Sequence, residues 1–301
     1  MTQTKQNVRI AARPPADQTP AAKALLKRIN AIQELPTLST VFAQVLSLLQ
    51  DINTPAEELA KVIENDQAMV PKLLKLVNSA FFGFSKKVSS VQHAVMLLGF
   101  STVRNAVLSI EVINALKLKK KLPDFDITKF WQHAVAVAVI ARYLDEQTGK
   151  QYREDAFAAG LIHDIGKIVM AYYFFDRFEA TWRSMHKDNL TFWEAESRHF
   201  PINHAAIGAQ LAERWNLPED LKNVVAHHHS DNPGGEDDHL VLIIHGADAL
   251  AHLYLDESPT VEQWPISDEA RKLVAAQIDS AEQWMPAIKE EIQSAYEVLI
   301  R

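Results

Sequence analysis

Glycine is scarce in this chain, 9 in 301 residues, and that scarcity limits the folds open to it. No Asn-Gly or Asp-Gly pair marks a tight hairpin, and runs that alternate apolar with polar residues are hard to find. Helical spacing recurs instead. Val41, Phe42, Val45, Leu46, Leu48 and Leu49 fall on one broad stripe, and Leu73, Leu74, Leu76 and Val77 repeat the pattern. Helix starts are expected near Ala21, at Thr54-Pro55-Ala56-Glu57, at Asp66 and at Ser89-Val91-Gln92, where capping residues precede apolar periods. Gly99 is expected to end a helix that Ser101 restarts. The expectation is an all-α fold with no sheet.

The first residues, up to about 24, are polar and proline-containing and read as a flexible tail. The run KLKKKLPD at 117–124 breaks the apolar period and ends on a helix-stopping proline, which suggests a boundary there. The division expected is a tail over 1–24, an N-terminal helical part over 25–122, a second helical part over 123–260 and a helical tail over 261–301. The apolar fraction of 48% allows a sizeable core. The formal net charge of -7 disfavours nucleic acid as a partner. With no cysteine, disulfides and thiolate metal sites are excluded, so any metal is held by nitrogen and oxygen. The longest apolar run, Ala134 to Ala141, is too short for the roughly 20 residues of a membrane span. No membrane association and a cytoplasmic location are expected.

The twelve histidines are unevenly placed, with only His93 before residue 130. The second half carries His133, the run Gly160-Leu161-Ile162-His163-Asp164-Ile165-Gly166-Lys167, then His204, the triplet His227-His228-His229, and Asp248. A lone histidine on an apolar helix is usually a core residue with a local hydrogen bond. An adjacent His163-Asp164 inside an apolar stretch is costly to bury unless something pairs with both, and a metal ion does so. Imidazole with carboxylate suits zinc, iron, manganese or nickel better than calcium or magnesium. Gly160 and Gly166 would let helices pack closely around such a centre.

The order His133, His163-Asp164, Asp248 resembles the signature of the HD superfamily of metal-dependent phosphohydrolases. The helix starting at His204 and the pair His228-His229 resemble its two-metal version. Upstream, LPTLSTVFAQVLSLLQ (35–50), AEELAKVIENDQAMVPKLLKLVNSAFFG (56–83) and SSVQHAVMLLGFSTVRNAVLSI (89–110) are similar to the narrower HDOD family, across roughly residues 25–260. The resemblance implies an N-terminal helical bundle packed on an HD-type metal-binding domain. It implies one or two divalent transition-metal ions, iron first and then manganese, nickel or zinc. It implies His133, His163, Asp164, His204, His228, His229 and Asp248 as ligands, with Asp164 bridging and Lys167 facing a hydroxide or substrate phosphate.

In function, the resemblance implies a bacterial signalling module acting on an unidentified protein partner. The alternative is an active phosphohydrolase or phosphodiesterase on a phosphorylated small molecule, with Lys167 and Asp164 in catalytic roles and Arg104 or Arg142 neutralising phosphate. Two departures from the pattern matter. Ser230-Asp231-Asn232-Pro233-Gly234-Gly235 replaces the glutamate and GYP loop of cyclic-di-GMP phosphodiesterases, and Lys129 stands where trinuclear relatives have glutamate. His227 is expected to lie outside the ligand set. From the ordinary histidine pKa, metal occupancy is expected to fall below about pH 6.

Overall fold

The computed structural model describes residues 19–48, 54–79, 87–117, 125–149, 153–230, 239–255 and 266–300. No strand occurs among them, so the all-helical expectation holds. The N-terminal helices are α1 (Pro20–Asn30), α2 (Thr40–Leu48), α3 (Ala56–Glu64), α4 (Met69–Val77) and the long α5 (Val91–Ala115). The site-bearing helices follow: α6 (Ile127–Thr148), α7 (Arg153–Ile162), α8 (Ile165–Tyr173), α9 (Phe175–Asp188), α10 (Phe192–His199), α11 (His204–Arg214), α12 (Glu219–His227) and α13 (His239–Leu255). The chain closes with α14 (Asp268–Leu273), α15 (Ala275–Asp279) and α16 (Ala281–Leu299).

Local sequence sets several of these boundaries. Asp66 accepts hydrogen bonds from the Ala68 and Met69 backbone N–H groups in the turn that leads into α4, while Ala68 rather than Asp66 occupies its N-cap. Gly99, at φ 81° and ψ 171°, kinks α5 in a conformation that costs glycine little, and the helix resumes through Ser101. Two other expected caps are displaced. Ser90, not Ser89, caps α5 through the His93 N–H. Thr54 does not cap α3, because its hydroxyl donates back to the Leu48 carbonyl and leaves Pro55 at the N-cap. Part of the expected boundary, 118–124, lies outside the described residues.

Helix α6 forms the centre. Its stretch Ala134–Ala141 is fully buried, with α7, α13 and α16 packed around it. Helix α5 has the length and mean hydropathy, 1.4, of a membrane span, and 61% of that stretch is buried inside the protein. The Glu111 carboxylate accepts from the Ser39 N–H beside α2, and Arg104 pairs with Asp155 on α7. The core is continuous from Ala22 on α1 to Tyr296 on α16.

Two glycines let the site-bearing helices touch. A Cβ at Gly160 would lie 2.6 Å from the Ala138 Cα of α6, and one at Gly166 would lie 1.9 Å from the His204 carbonyl oxygen of α11. At both places the obstacle is backbone, so a side chain would force whole helices apart. Helix propensity alone favours Gly166→Ala by about 1 kcal/mol. Overpacking opposes it with about 1–3 kcal/mol or more. Gly166→Ala is expected to lower the midpoint of chemical denaturation, and an unchanged or raised midpoint would contradict this packing.

Candidate metal centre

Six segments deliver the site. Helix α6 presents His133. The turn after α7 presents His163 and Asp164, and the first turn of α8 presents Lys167. His204 is the first residue of α11, His228 and His229 follow α12, and Asp248 sits midway along α13. His163, His204 and His228 are fully buried, and Asp164 nearly so. The structure gathers the seven histidine and aspartate positions into two groups, Asp164 with His204, His228 and His229, and His133 with His163 and Asp248. Within each group the candidate ligand atoms lie within 4.8 Å of one another.

Asp164 stands between the groups. Its Oδ1 lies 3.1 Å from His204 Nε2 and 3.6 Å from His228 Nε2, while its Oδ2 lies 3.4 Å from His163 Nε2 and 2.5 Å from Lys167 Nζ. In the other group, Asp248 Oδ1 lies 2.9 Å from His133 Nε2 and 3.7 Å from His163 Nε2. The Lys167 ammonium donates a hydrogen bond to Asp164 Oδ2, whereas these histidine–aspartate approaches are not hydrogen bonds. His133 Nε2, His163 Nε2, Asp164 Oδ1 and Asp248 Oδ1 are buried with no hydrogen-bond partner.

The far sides of the rings are held. His163 Nδ1 donates to the Gly160 carbonyl at 2.7 Å, and His228 Nδ1 reaches the Val225 and Val224 carbonyls at 3.1 and 3.2 Å. His204 Nδ1 donates to Glu196 Oε2 at 2.9 Å. In the neutral ring each such bond leaves the lone pair on Nε2. His204 Nε2 then faces His228 Nε2 at 3.2 Å and His229 Nε2 at 3.1 Å. In their neutral forms imidazoles so arranged repel through their lone pairs, and either a shared cation or a proton on His204, which Glu196 and Asp164 favour against burial, relieves the repulsion. Ligands at about 2.0–2.1 Å around a tetrahedral ion stand about 3.3–3.4 Å apart, close to these separations. The residues therefore fit a divalent metal.

Other expectations resolve individually. His227 is exposed, facing away from the group its two neighbours join, and Lys129 is exposed on α6. Lys167 is mostly buried against Asp164 rather than a surface residue. The phosphate role expected of Arg104 and Arg142 is not supported, because Arg104 pairs with Asp155 and Arg142 with Glu291, 3.1 Å away on α16. The loop at 231–235 lies outside the described residues.

Sequence reasoning missed three residues. Glu196, fully buried on α10, accepts from both the backbone N–H and the ring of His204. Trp193 packs on the His204 and His229 rings. His252, one turn beyond Asp248, stacks on His133 with ring centres 4.3 Å apart. Only the Asp248–His252 spacing was a usable signal, since it puts both residues on one helical face.

The sequence matches the HDOD domain over residues 35–231. An uncharacterized protein of Treponema pallidum (strain Nichols) is 27% identical over 282 residues, covering 93% of this chain and 53% of the relative. The chain thus spans about half that relative's length. Among solved structures, a Shewanella amazonensis SB2B protein provisionally named a phosphohydrolase superposes with a TM-score of 0.72 at 22% identity, covering 92% of this chain and 98% of the other. A Marinobacter aquaeolei VT8 protein provisionally named for signal transduction gives 0.72 at 23% identity, covering 98% and 68%. At these identities the two structures share the fold.

Charge divides the imidazoles. Burial pushes His228 down to about 4, helped by His163 and His204, and burial also lowers His133 and His229. These rings stay neutral, as ligands must. Burial opposes charge on His163 too, but the carboxylates of Asp164 and Asp248 carry it up to about 10. Burial likewise opposes charge on Lys167, and Asp164 and Asp248 outweigh it and keep the ammonium charged. Glu196 and Asp164 likewise raise His204 against burial, so a metal ion bound by the His163 and His204 rings would displace protons and its affinity would climb as pH rises above neutrality. Zn²⁺ titration into lightly buffered protein should acidify the solution, and an affinity independent of pH between about 7 and 9 would contradict this assignment.

Proposed function

The chain belongs to the HDOD family, and from that premise we propose that it is a bacterial signal-transduction protein whose module holds one or two divalent metal ions and acts through a protein partner in the cytoplasm. The observation that carries the metal reading is the set of Nε2 lone pairs turned toward one another around Asp164. His204, His228, His229 and Asp164 would hold one ion, and His133, His163 and Asp248 the other, with Asp164 shared. Iron is the first candidate, ahead of manganese, nickel and zinc, since all accept imidazole with carboxylate.

The regulatory reading is supported by the connections of α5. Its Glu111 anchors the start of α2, and its Arg104 and Asn105 both bond Asp155 on α7, the helix that leads into His163-Asp164. A partner that shifts the N-terminal helices would act on the site along this path. On this reading residues 123–301 expressed alone would expose apolar surface and melt early.

A second reading, metal-dependent phosphohydrolase, is favoured by a different observation. The side chains of His133, Asp248 and Lys167 are 13%, 12% and 16% exposed, so one side of the site reaches solvent. Divalent ions there would supply Lewis-acid charge beside a phosphoryl oxygen. Lys167 would hold a fixed positive charge at that edge while it neutralises Asp164.

Metal analysis of the purified chain, followed by a screen of phosphomonoesters, nucleotides and cyclic dinucleotides, separates the readings. The regulatory reading expects bound metal and turnover no greater than that of Asp164→Ala. Turnover that Lys167→Ala or Asp164→Ala abolishes would establish the hydrolase instead. A chain without metal would overturn both.

A further inference from the structure

Asp248 Oδ1 is approached by three imidazoles. Besides His133 at 2.9 Å and His163 at 3.7 Å, the Nε2 of His252 lies 3.4 Å away. Asp248 and His252 are one turn apart on α13 and so share the face turned to α6, which carries His133. The His133 and His252 rings stack at 4.3 Å with 29° between their planes, and both side chains are about equally exposed, 13% and 14%. Asp248 Oδ1 is buried without an aligned hydrogen bond. The His252 nitrogen therefore stands beside that oxygen at the separation expected of two ligands on one ion, about 3.3–3.4 Å, although it lies outside the 4.8 Å group of His133, His163 and Asp248, so its ring would have to turn inward to share their ion.

We infer that His252 is a further ligand of the ion held by His133, His163 and Asp248, which the HD-type pattern does not include. This rests on the metal reading above. With His252 bound, that position has three imidazoles and the Asp248 carboxylate before Asp164 is counted. With the shared Asp164 that makes five protein donors, more than the three that catalytic metal sites commonly use to keep a position open. On a six-coordinate ion the same donors leave fewer positions for substrate. His252 would thus make this ion the more firmly held of the two and bias the centre toward a stable, regulatory role.

The alternative role for His252 is to position Asp248 and His133 without touching the ion. Glutamine at 252 can still donate to the Asp248 carboxylate but replaces a ring nitrogen with a poor ligand, so it distinguishes the two roles. Full-length wild type, His252→Ala and His252→Gln are titrated with Zn²⁺ against a chromophoric chelator, and imidazole ligands per zinc are counted by X-ray absorption. Losing an orienting neighbour weakens metal binding about 10–100-fold. The inference expects one of the two zinc ions to weaken by at least that factor in both variants, the other to keep wild-type affinity, and the mean imidazole count to fall. Wild-type affinity and imidazole count in His252→Gln would overturn it and leave a positioning role. A wild-type chain that binds no zinc would instead remove the metal reading on which the inference rests.

Discussion

A carboxylate buried among histidines is the constraint on which the rest of this molecule depends. Asp164 is nearly fully buried, one oxygen toward His204 and His228 and the other toward His163 and Lys167. An isolated charge in that position would be too costly to keep, so the helices must bring it compensating groups from distant parts of the chain. They come from four places: the turn after α7, the first turn of α8, the start of α11 and the end of α12. Burial works against the Asp164 charge, while Lys167 and His163 hold its carboxyl well below the usual range. The same arrangement leaves ring nitrogens facing one another, a cost that a bound cation turns into a gain.

The packing follows from that requirement. Helices α8 and α11 approach until a side chain at Gly166 would collide with the His204 backbone, which sets His204 beside Asp164. Gly160 does the same for α7 against α6, bringing His163 toward His133. Glu196 completes the support by accepting from the His204 backbone and ring together, so one buried carboxylate fixes the helix start and the tautomer. The N-terminal helices contribute no group to this centre among the described residues. They share its core and reach it through the Arg104–Asp155 pair.

Much of this was legible in the sequence, because helical period and scarce glycine are local signals. The burial of His163-Asp164 and the helix starting at His204 were readable because each depends on a few neighbouring residues. The cap at Ser90 was misread by one position, since Ser89 and Ser90 offer the same hydroxyl and only tertiary packing selects between them. Glu196 was invisible because its partner lies eight residues on, across a turn and on another helix. Arg104 and Arg142 looked available for phosphate because nothing local reveals that Asp155 and Glu291 fold against them.

The central claim is that two ions share the Asp164 carboxylate. Electron paramagnetic resonance of the full-length chain loaded with Mn²⁺ tests it directly, because ions about 3.5–4 Å apart in a two-metal site couple magnetically. The account predicts a spin-coupled signal that appears as the second Mn²⁺ binds and is lost in Asp164→Ala. The hyperfine pattern of an isolated Mn²⁺ at every loading, with no coupled signal, would contradict it.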